Sequence, residues 1–319
     1  NALTLQAKKL TLSSRAFFNS QLGDYEEFMT SLFGFDKILP MNTGAEAVET
    51  AIKICRKWAY EKKGIAPNSA GIVVCKGNFH GRTTTITSFS NDNNARNNFG
   101  PYSPGFISVP YNDLDALELT LSSNPNIGGF LVEPIQGEAG VLVPSKGYLS
   151  SAKTICEKYN VLFIADEIQT GIARTGKMLA IDHENVTADM LILGKAISGG
   201  VYPVSAVLAN NDIMDVIGPG QHGSTFGGNP LACAVAKEAL QVVIDENLSE
   251  NALKLGQMFR NKMQQLVENL DTLTGVRGKG LLNAIIINDD ENSTLAWDIC
   301  LELKENGLLA KPTHGNKIR

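Results

Sequence analysis

Short runs of apolar, mostly β-branched residues alternate with longer segments of helical periodicity. The runs are Gly71–Cys75, Phe130–Val132, Val161–Ala165, Met190–Leu193 and Ser205–Ala209. Among the longer segments, Glu46–Glu61 places Ala47, Val48, Ala51, Ile52, Cys55 and Trp58 on one side. Tyr148–Tyr159 and Leu231–Asp245 repeat that pattern. Strands alternating with helices predict an α/β fold with a mostly parallel central sheet and helices on both faces. The runs are almost wholly apolar, as expected of strands covered on both sides.

The character changes after about Asn247. An amphipathic helix over Ser249–Asn269 leads to a strand at Leu281–Ile287 and a further helix at Thr294–Asn306. We therefore expect a large domain over 1–236 and a smaller C-terminal α+β domain over 237–319, divided near 236–247. Asn1–Leu12 reads as part of a helix, and Asn316–Arg319 as the start of a strand. Both ends read as interior to a longer chain.

Composition closes several routes. Net charge is -5, with acids and bases mixed and no basic stripe, so no nucleic-acid partner is expected. No apolar run approaches the length of a membrane span, so no membrane partner is expected. Cys55, Cys75, Cys156, Cys233 and Cys300 lie far apart in apolar stretches. They read as buried free thiols in a reducing compartment, not as metal ligands. The cytoplasm is the expected location, with the mitochondrial matrix as the alternative. Asn91–Asn98 is Asn-rich and reads as a surface loop.

The candidate chemistry sits where elements end. In VLFIADEIQT, Asp166 and Glu167 close an apolar strand, the edge at which open α/β sheets bind ligands. Two adjacent acids can equally be a helix cap and a solvated face. In MLILGKAISGG, Lys195 follows another strand among small residues. It is either a solvated loop lysine or one desolvated into a nucleophile toward carbonyls. In MNTGAEAVE, the Thr43–Gly44 pair precedes a helix, which suits an anion site or a plain Thr cap.

GNFHGRT follows the strand Gly71–Cys75. It offers Phe79 to stack on a planar ring and Arg82 to grip a carboxylate, while His80 alone reads more simply as a hydrogen-bonded loop residue. EPIQGE, with Glu133 and Glu138, follows a further strand, and HGSTFGGNP carries hydroxyls and glycines suited to a phosphate or a tight interface. Polar clusters at successive element ends are the layout of a cofactor site. An acid, a lysine, an aromatic ring and an anion site together suit pyridoxal 5'-phosphate.

These segments in this order resemble the class III, fold type I, pyridoxal-phosphate-dependent aminotransferases along essentially the whole chain. NTGAEAVE, VEPIQGEAG, LFIADEIQTGIARTG, LGKAISGG and VRGKGLLNA carry the likeness. GNFHGRT, HGSTFGGNP and LLAKPTHGNKIR draw it toward the branch acting on L-ornithine.

The resemblance implies a role for each residue. Lys195 carries the cofactor and shuttles the proton. Asp166 bonds the pyridine nitrogen, Gln169 lies near the phenolic oxygen, Phe79 covers the ring, and His80 and Glu133 line the site. The Gly44–Ala45 turn binds phosphate. Ser224 and Thr225 bind the phosphate of the neighbouring subunit's cofactor, which implies a homodimer with shared active sites. Arg82 takes ornithine's α-carboxylate. Glu138 covers Arg319 until 2-oxoglutarate arrives. His80 departs from the tryptophan often found there in the ornithine enzymes, and Val48 from a common glycine. Alternatives within the resemblance are an acetylornithine or 4-aminobutyrate aminotransferase, an aminomutase, or an inactive fragment of such an enzyme.

Overall fold

Successive residues of each apolar run feed two different cores. In the strand Gly71–Cys75, Val73 and Cys75 join one buried cluster while Ile72 and Val74 join another. In the strand Leu162–Asp166, Phe163 and Ala165 divide from Leu162 and Ile164 in the same way. A period of two with both sides apolar requires cover above and below the sheet. The computed structural model, which describes residues 1–319, shows that cover.

The strands are β1 (Lys37–Met41), β2 (Gly71–Cys75), β3 (Phe106–Val109), β4 (Ile127–Val132), β5 (Leu162–Asp166), β6 (Met190–Leu193) and β7 (Ser205–Ala209). They form one sheet in the order β1-β7-β6-β5-β4-β2-β3. β7 runs antiparallel to both its neighbours, and the remaining pairings are parallel. A second, antiparallel sheet has the order β10-β11-β9-β8. Its strands are β8 (Leu273–Lys279), β9 (Leu282–Ile287), β10 (Pro312–Thr313) and β11 (Lys317–Ile318). This is the mixed, mostly parallel architecture and additional α+β unit that the sequence predicts.

The helices are α1 (Ala2–Ala7), α2 (Ser20–Phe33), α3 (Gly44–Glu61), α4 (Thr84–Thr87), α5 (Asn93–Arg96) and α6 (Leu114–Ser123). They continue with α7 (Tyr148–Lys158), α8 (Asn211–Met214), α9 (Pro230–Asp245), α10 (Leu248–Asn269) and α11 (Leu295–Glu305). α3 forms because Thr43 and Glu46 make a reciprocal capping box and because Ala47, Val48, Ala51, Ile52, Cys55 and Trp58 make one buried stripe. α9 packs on α1 and α2, and α10 packs on β8. Asn1–Leu12 is helical only over Ala2–Ala7, and beyond it the chain leaves the helix. The Asn-rich stretch is exposed, with one helical turn at Asn93–Arg96.

Two features bring the second sheet to the edge of the first. Ile135 and Val141, in the loop after β4, pack with Leu282 and Ala284 of β9. At the β8–β9 corner, Leu281 N donates to Arg174 O at 2.9 Å. The same loop thus leaves a strand of one sheet and leans on a strand of the other.

Candidate active site

The carboxyl ends of β2, β4, β5 and β6 and the start of α3 surround one cavity of about 180 Å3. Its walls are Gly44, Ala45, Phe79, His80, Gly81, Glu133, Asp166, Ile168, Gln169 and Lys195. The structure thereby gathers eight residues that sequence reasoning singled out separately: Gly44, Ala45, Phe79, His80, Glu133, Asp166, Gln169 and Lys195.

Asp166 ends β5 and is 4% exposed. Its Oδ1 accepts from Ile168 N at 3.1 Å, and its Oδ2 accepts from His80 Nδ1 at 2.6 Å. Burial disfavours a charged imidazole, but the Asp166 hydrogen bond and the charges of Asp166 and Glu133 outweigh it, so His80 is raised above its ordinary pKa. His80 Nε2 is sealed without a partner. His80 is therefore part of the Asp166 assembly rather than a plain loop residue.

Lys195 begins a short 3-10 turn, Lys195–Ser198, directly after β6. Its φ is 44°, in the left-handed region that a residue with a Cβ adopts only under constraint. Burial lowers its pKa, against the opposing pull of Asp166, Glu138 and Glu133. A lysine so desolvated spends more time as the free amine, which is the nucleophilic form.

Glu133 accepts from Phe79 N at 2.8 Å and Gly137 N at 3.4 Å. Burial pushes it up to about 7 despite His80 and these amide bonds. Ile168 fills the wall opposite Gly44 and Gly194. A Cβ at Gly44 would meet its Cδ1 at 3.0 Å, and one at Gly194 its Cγ2 at 3.2 Å. Sequence reading missed Ile168, whose only signal is its place two residues after Asp166.

A second cluster adjoins the first through Gln169. Arg319 and Glu138 form an ion pair. Arg319 Nη1 donates to Gln169 Oε1 at 3.0 Å, and Gln169 Nε2 donates to Glu138 Oε1 at 3.1 Å. Burial would raise Glu138, but the bond and charge of Arg319, the Gln169 amide and the charge of Lys311 hold it below the usual carboxylate range. A Cβ at Gly137 would displace the Gln169 amide from its place between Arg319 and Glu138. Thr313 Oγ1 donates to Glu138 O at 2.8 Å, and Arg277 Nε donates to Gly140 O at 2.9 Å. The second sheet therefore holds the loop that carries Glu138.

Arg82 is exposed, with its guanidinium carbon 5.7 Å from the Phe79 ring centroid. Ser224 and Thr225 stand apart from the Lys195 cavity. With Leu12, Ser13, Ser14, Arg15 and Gly223 they line a different surface cleft. Their loop is fastened to α3. His222 contacts Thr50 Oγ1 through Nε2 at 2.8 Å and Lys53 Nζ through Nδ1 at 2.8 Å. Asn42 Nδ2, just ahead of that helix, donates to Ser224 Oγ at 2.9 Å.

A buried acid, a desolvated lysine, an aromatic wall and a helix start around one cavity on an α/β scaffold are the groups that pyridoxal phosphate requires. Comparison with known proteins agrees. The family description aminotransferase class-III matches residues 1–319. The mitochondrial ornithine aminotransferase of Drosophila melanogaster is 58% identical, over 100% of this chain and 72% of its own length. The ornithine aminotransferase of Plasmodium falciparum is 55% identical, over 100% of this chain and 76% of its own.

Among solved structures, the ornithine aminotransferase of Toxoplasma gondii has a TM-score of 0.97 at 52% identity, covering 100% of this chain and 75% of its own. The acetylornithine aminotransferase of Elizabethkingia anophelis has a TM-score of 0.90 at 63% identity, covering 100% and 77%. The chain belongs to the class III aminotransferases.

Proposed function

We propose that this protein transfers the δ-amino group of L-ornithine to 2-oxoglutarate through pyridoxal phosphate. The products are glutamate and glutamate-5-semialdehyde, which cyclises to pyrroline-5-carboxylate. The observation that carries the choice of substrate is the Glu138–Arg319 pair, joined to the Lys195 cavity by Gln169.

The cavity suits the cofactor. Asp166 offers a buried carboxylate for a ring nitrogen, Phe79 and Ile168 supply walls for a flat ring, and the first turn of α3 supplies amide donors for a phosphate. When bound, pyridoxal phosphate supplies an electron-accepting ring that stabilises negative charge on the carbon losing its proton. We assign the remaining work to the chain. Lys195 would hold the cofactor through its side-chain amine, and the same amine would take the proton from ornithine Cδ. Arg82 takes ornithine's α-carboxylate at the mouth.

Glu138 masks Arg319 during this half-reaction. An unmasked arginine would seize the α-carboxylate and present the wrong amine. For 2-oxoglutarate the mask opens, and Arg319 takes the carboxylate beside the oxo group. One pocket then serves two substrates by covering and uncovering one charge.

We also assign Ser224 and Thr225 to the phosphate of a second subunit's cofactor, in a homodimer. Their cleft is separate from this chain's Lys195 cavity, and Phe17, 71% exposed, lines a cleft together with Thr225. Such apolar surface is what a subunit contact buries. No helix is long and apolar enough to cross a membrane. Five buried, unpaired cysteines suit a reducing compartment, and we place the protein in the cytoplasm among those that qualify. The mitochondrial names of several relatives support the matrix as the other choice.

The reading is tested by rapid mixing of the cofactor-loaded enzyme with single amino donors. L-ornithine alone should convert the visible absorption of the lysine-bound cofactor to that of the aminated form. The 63% identity to an acetylornithine aminotransferase favours a second reading. Conversion by acetylornithine or 4-aminobutyrate but not by ornithine would establish that one instead.

A further inference from the structure

Lys311 stands directly opposite Arg319. The two exchange both backbone hydrogen bonds: Lys311 N donates to Arg319 O at 3.1 Å, and Arg319 N donates to Lys311 O at 3.0 Å. Residues paired in this way extend an antiparallel ladder and place their side chains on the same side of it. Two cations so mounted repel each other unless an anion lies between them.

Glu138 is that anion. Its Oε1 holds Arg319, and its Oε2 lies 3.6 Å from Lys311 Nζ. The three side chains grade outward, at 16% exposed for Arg319, 23% for Glu138 and 67% for Lys311. Arg319 thus faces the pocket side, Lys311 faces water, and one carboxylate is shared between them through different oxygens.

This sharing has a consequence when the mask opens. Arg319 leaves Glu138 for a substrate carboxylate. Without another cation, Glu138 would keep only the Gln169 amide, and a partly buried carboxylate stripped of its countercharge opposes that step. We propose that Lys311 is a positioning residue that retains Glu138 as Arg319 departs, and so sets how readily the site admits the oxo-acid. The inference rests on the masking role given to Glu138 and Arg319 above. Lys311 touches neither the reacting atoms nor the cofactor.

The test uses the cofactor-loaded enzyme with glutarate, a five-carbon dicarboxylate that has no oxo group to react. Lys311→Met should weaken glutarate binding, measured by calorimetry, roughly two- to fivefold at low ionic strength, the range of a half-exposed ion pair. The loss should shrink at high salt. Lys311→Arg should restore binding. The rate of the ornithine half-reaction should not change, while KM for 2-oxoglutarate rises with kcat preserved. Lys311 is exposed at the end of a two-residue ladder, so folding is not at stake. Glutarate binding equal to the wild type, or a parallel fall in both half-reactions, overturns the proposal. Failure of the wild type itself to respond to ornithine overturns the parent reading instead.

Discussion

His80 donates through Nδ1 to Asp166 Oδ2 at 2.6 Å, and both side chains are sealed from water. An asparagine amide can occupy the Nδ1 position without titrating, whereas phenylalanine fills the space with no donor. His80→Asn should therefore keep the absorption spectrum and its pH dependence. His80→Phe should release cofactor about tenfold faster, the worth of one hydrogen bond to a charged group. Dialysis followed by absorption measures this. Equal retention by the two variants would reduce His80 to packing.

Lys195→Ala removes the amine that we assign to proton transfer. The protein should remain folded, since the positive φ at 195 suits alanine no worse than lysine. Turnover should fall by at least about 10²- to 10⁴-fold, the usual contribution of a positioned acid–base group. Circular dichroism and steady-state assay together decide. Normal turnover would refute the assignment.

Glu138→Ala leaves Arg319 uncovered. The half-reaction with glutamate should speed up, and ornithine should begin to react through its α-amine. Analysis of the ornithine-derived products reads this directly. Strict δ-selectivity in the variant would show that Glu138 does not mask Arg319.

Glu167 is buried beside Asp166, where its carboxylate accepts from the Thr170 hydroxyl and from Ile181 N. Burial pushes it up to about 7 from an ordinary 4.5, against the pull of these bonds. Between these pH values the folded state holds a proton that the unfolded chain releases, so this group makes stability fall as pH rises through the window. Below the window its effect is absent. Glu167→Gln offers a carbonyl oxygen and an NH2 to the same partners without titrating. It should remove on the order of 1–3 kcal/mol of the decline between pH 4.5 and 7. Urea midpoints at the two ends measure it. Glu133 slopes the same way, so the informative quantity is the difference between wild type and variant.

The strands visible in the sequence and those hidden in it differ in one respect. β2, β4, β5, β6, β7 and β9 lie inside their sheets and announce themselves as apolar runs, while β11, also interior, is only the pair Lys317–Ile318 and too short to show a pattern. β1, β3, β8 and β10 do not, and each is an edge strand. β1 carries Pro40, and β8 reads LTGVRGK, with glycines and charges. Edges tolerate and even favour such residues, which erases the pattern. The site divides similarly. Asp166 and Lys195 were legible because each ends an apolar run. Ile168 was not, because an apolar residue in a turn has no chemical signature. The placing of Lys311 beside Glu138 depends on the register of a ladder in a different sheet, which local spacing does not encode.

The fastening of His222 to α3, and of Ser224 to Asn42 just ahead of it, gives that helix two clients. In the arrangement that we propose, its first turn serves the centre of its own subunit, and the loop clamped to its flank serves the centre across the interface. A change in the pitch or seating of this one helix is therefore delivered twice. In a mixed dimer of one sound and one damaged chain, neither centre would escape, so a lesion in α3 should behave as dominant while a lesion at Lys195 should silence one centre of the two.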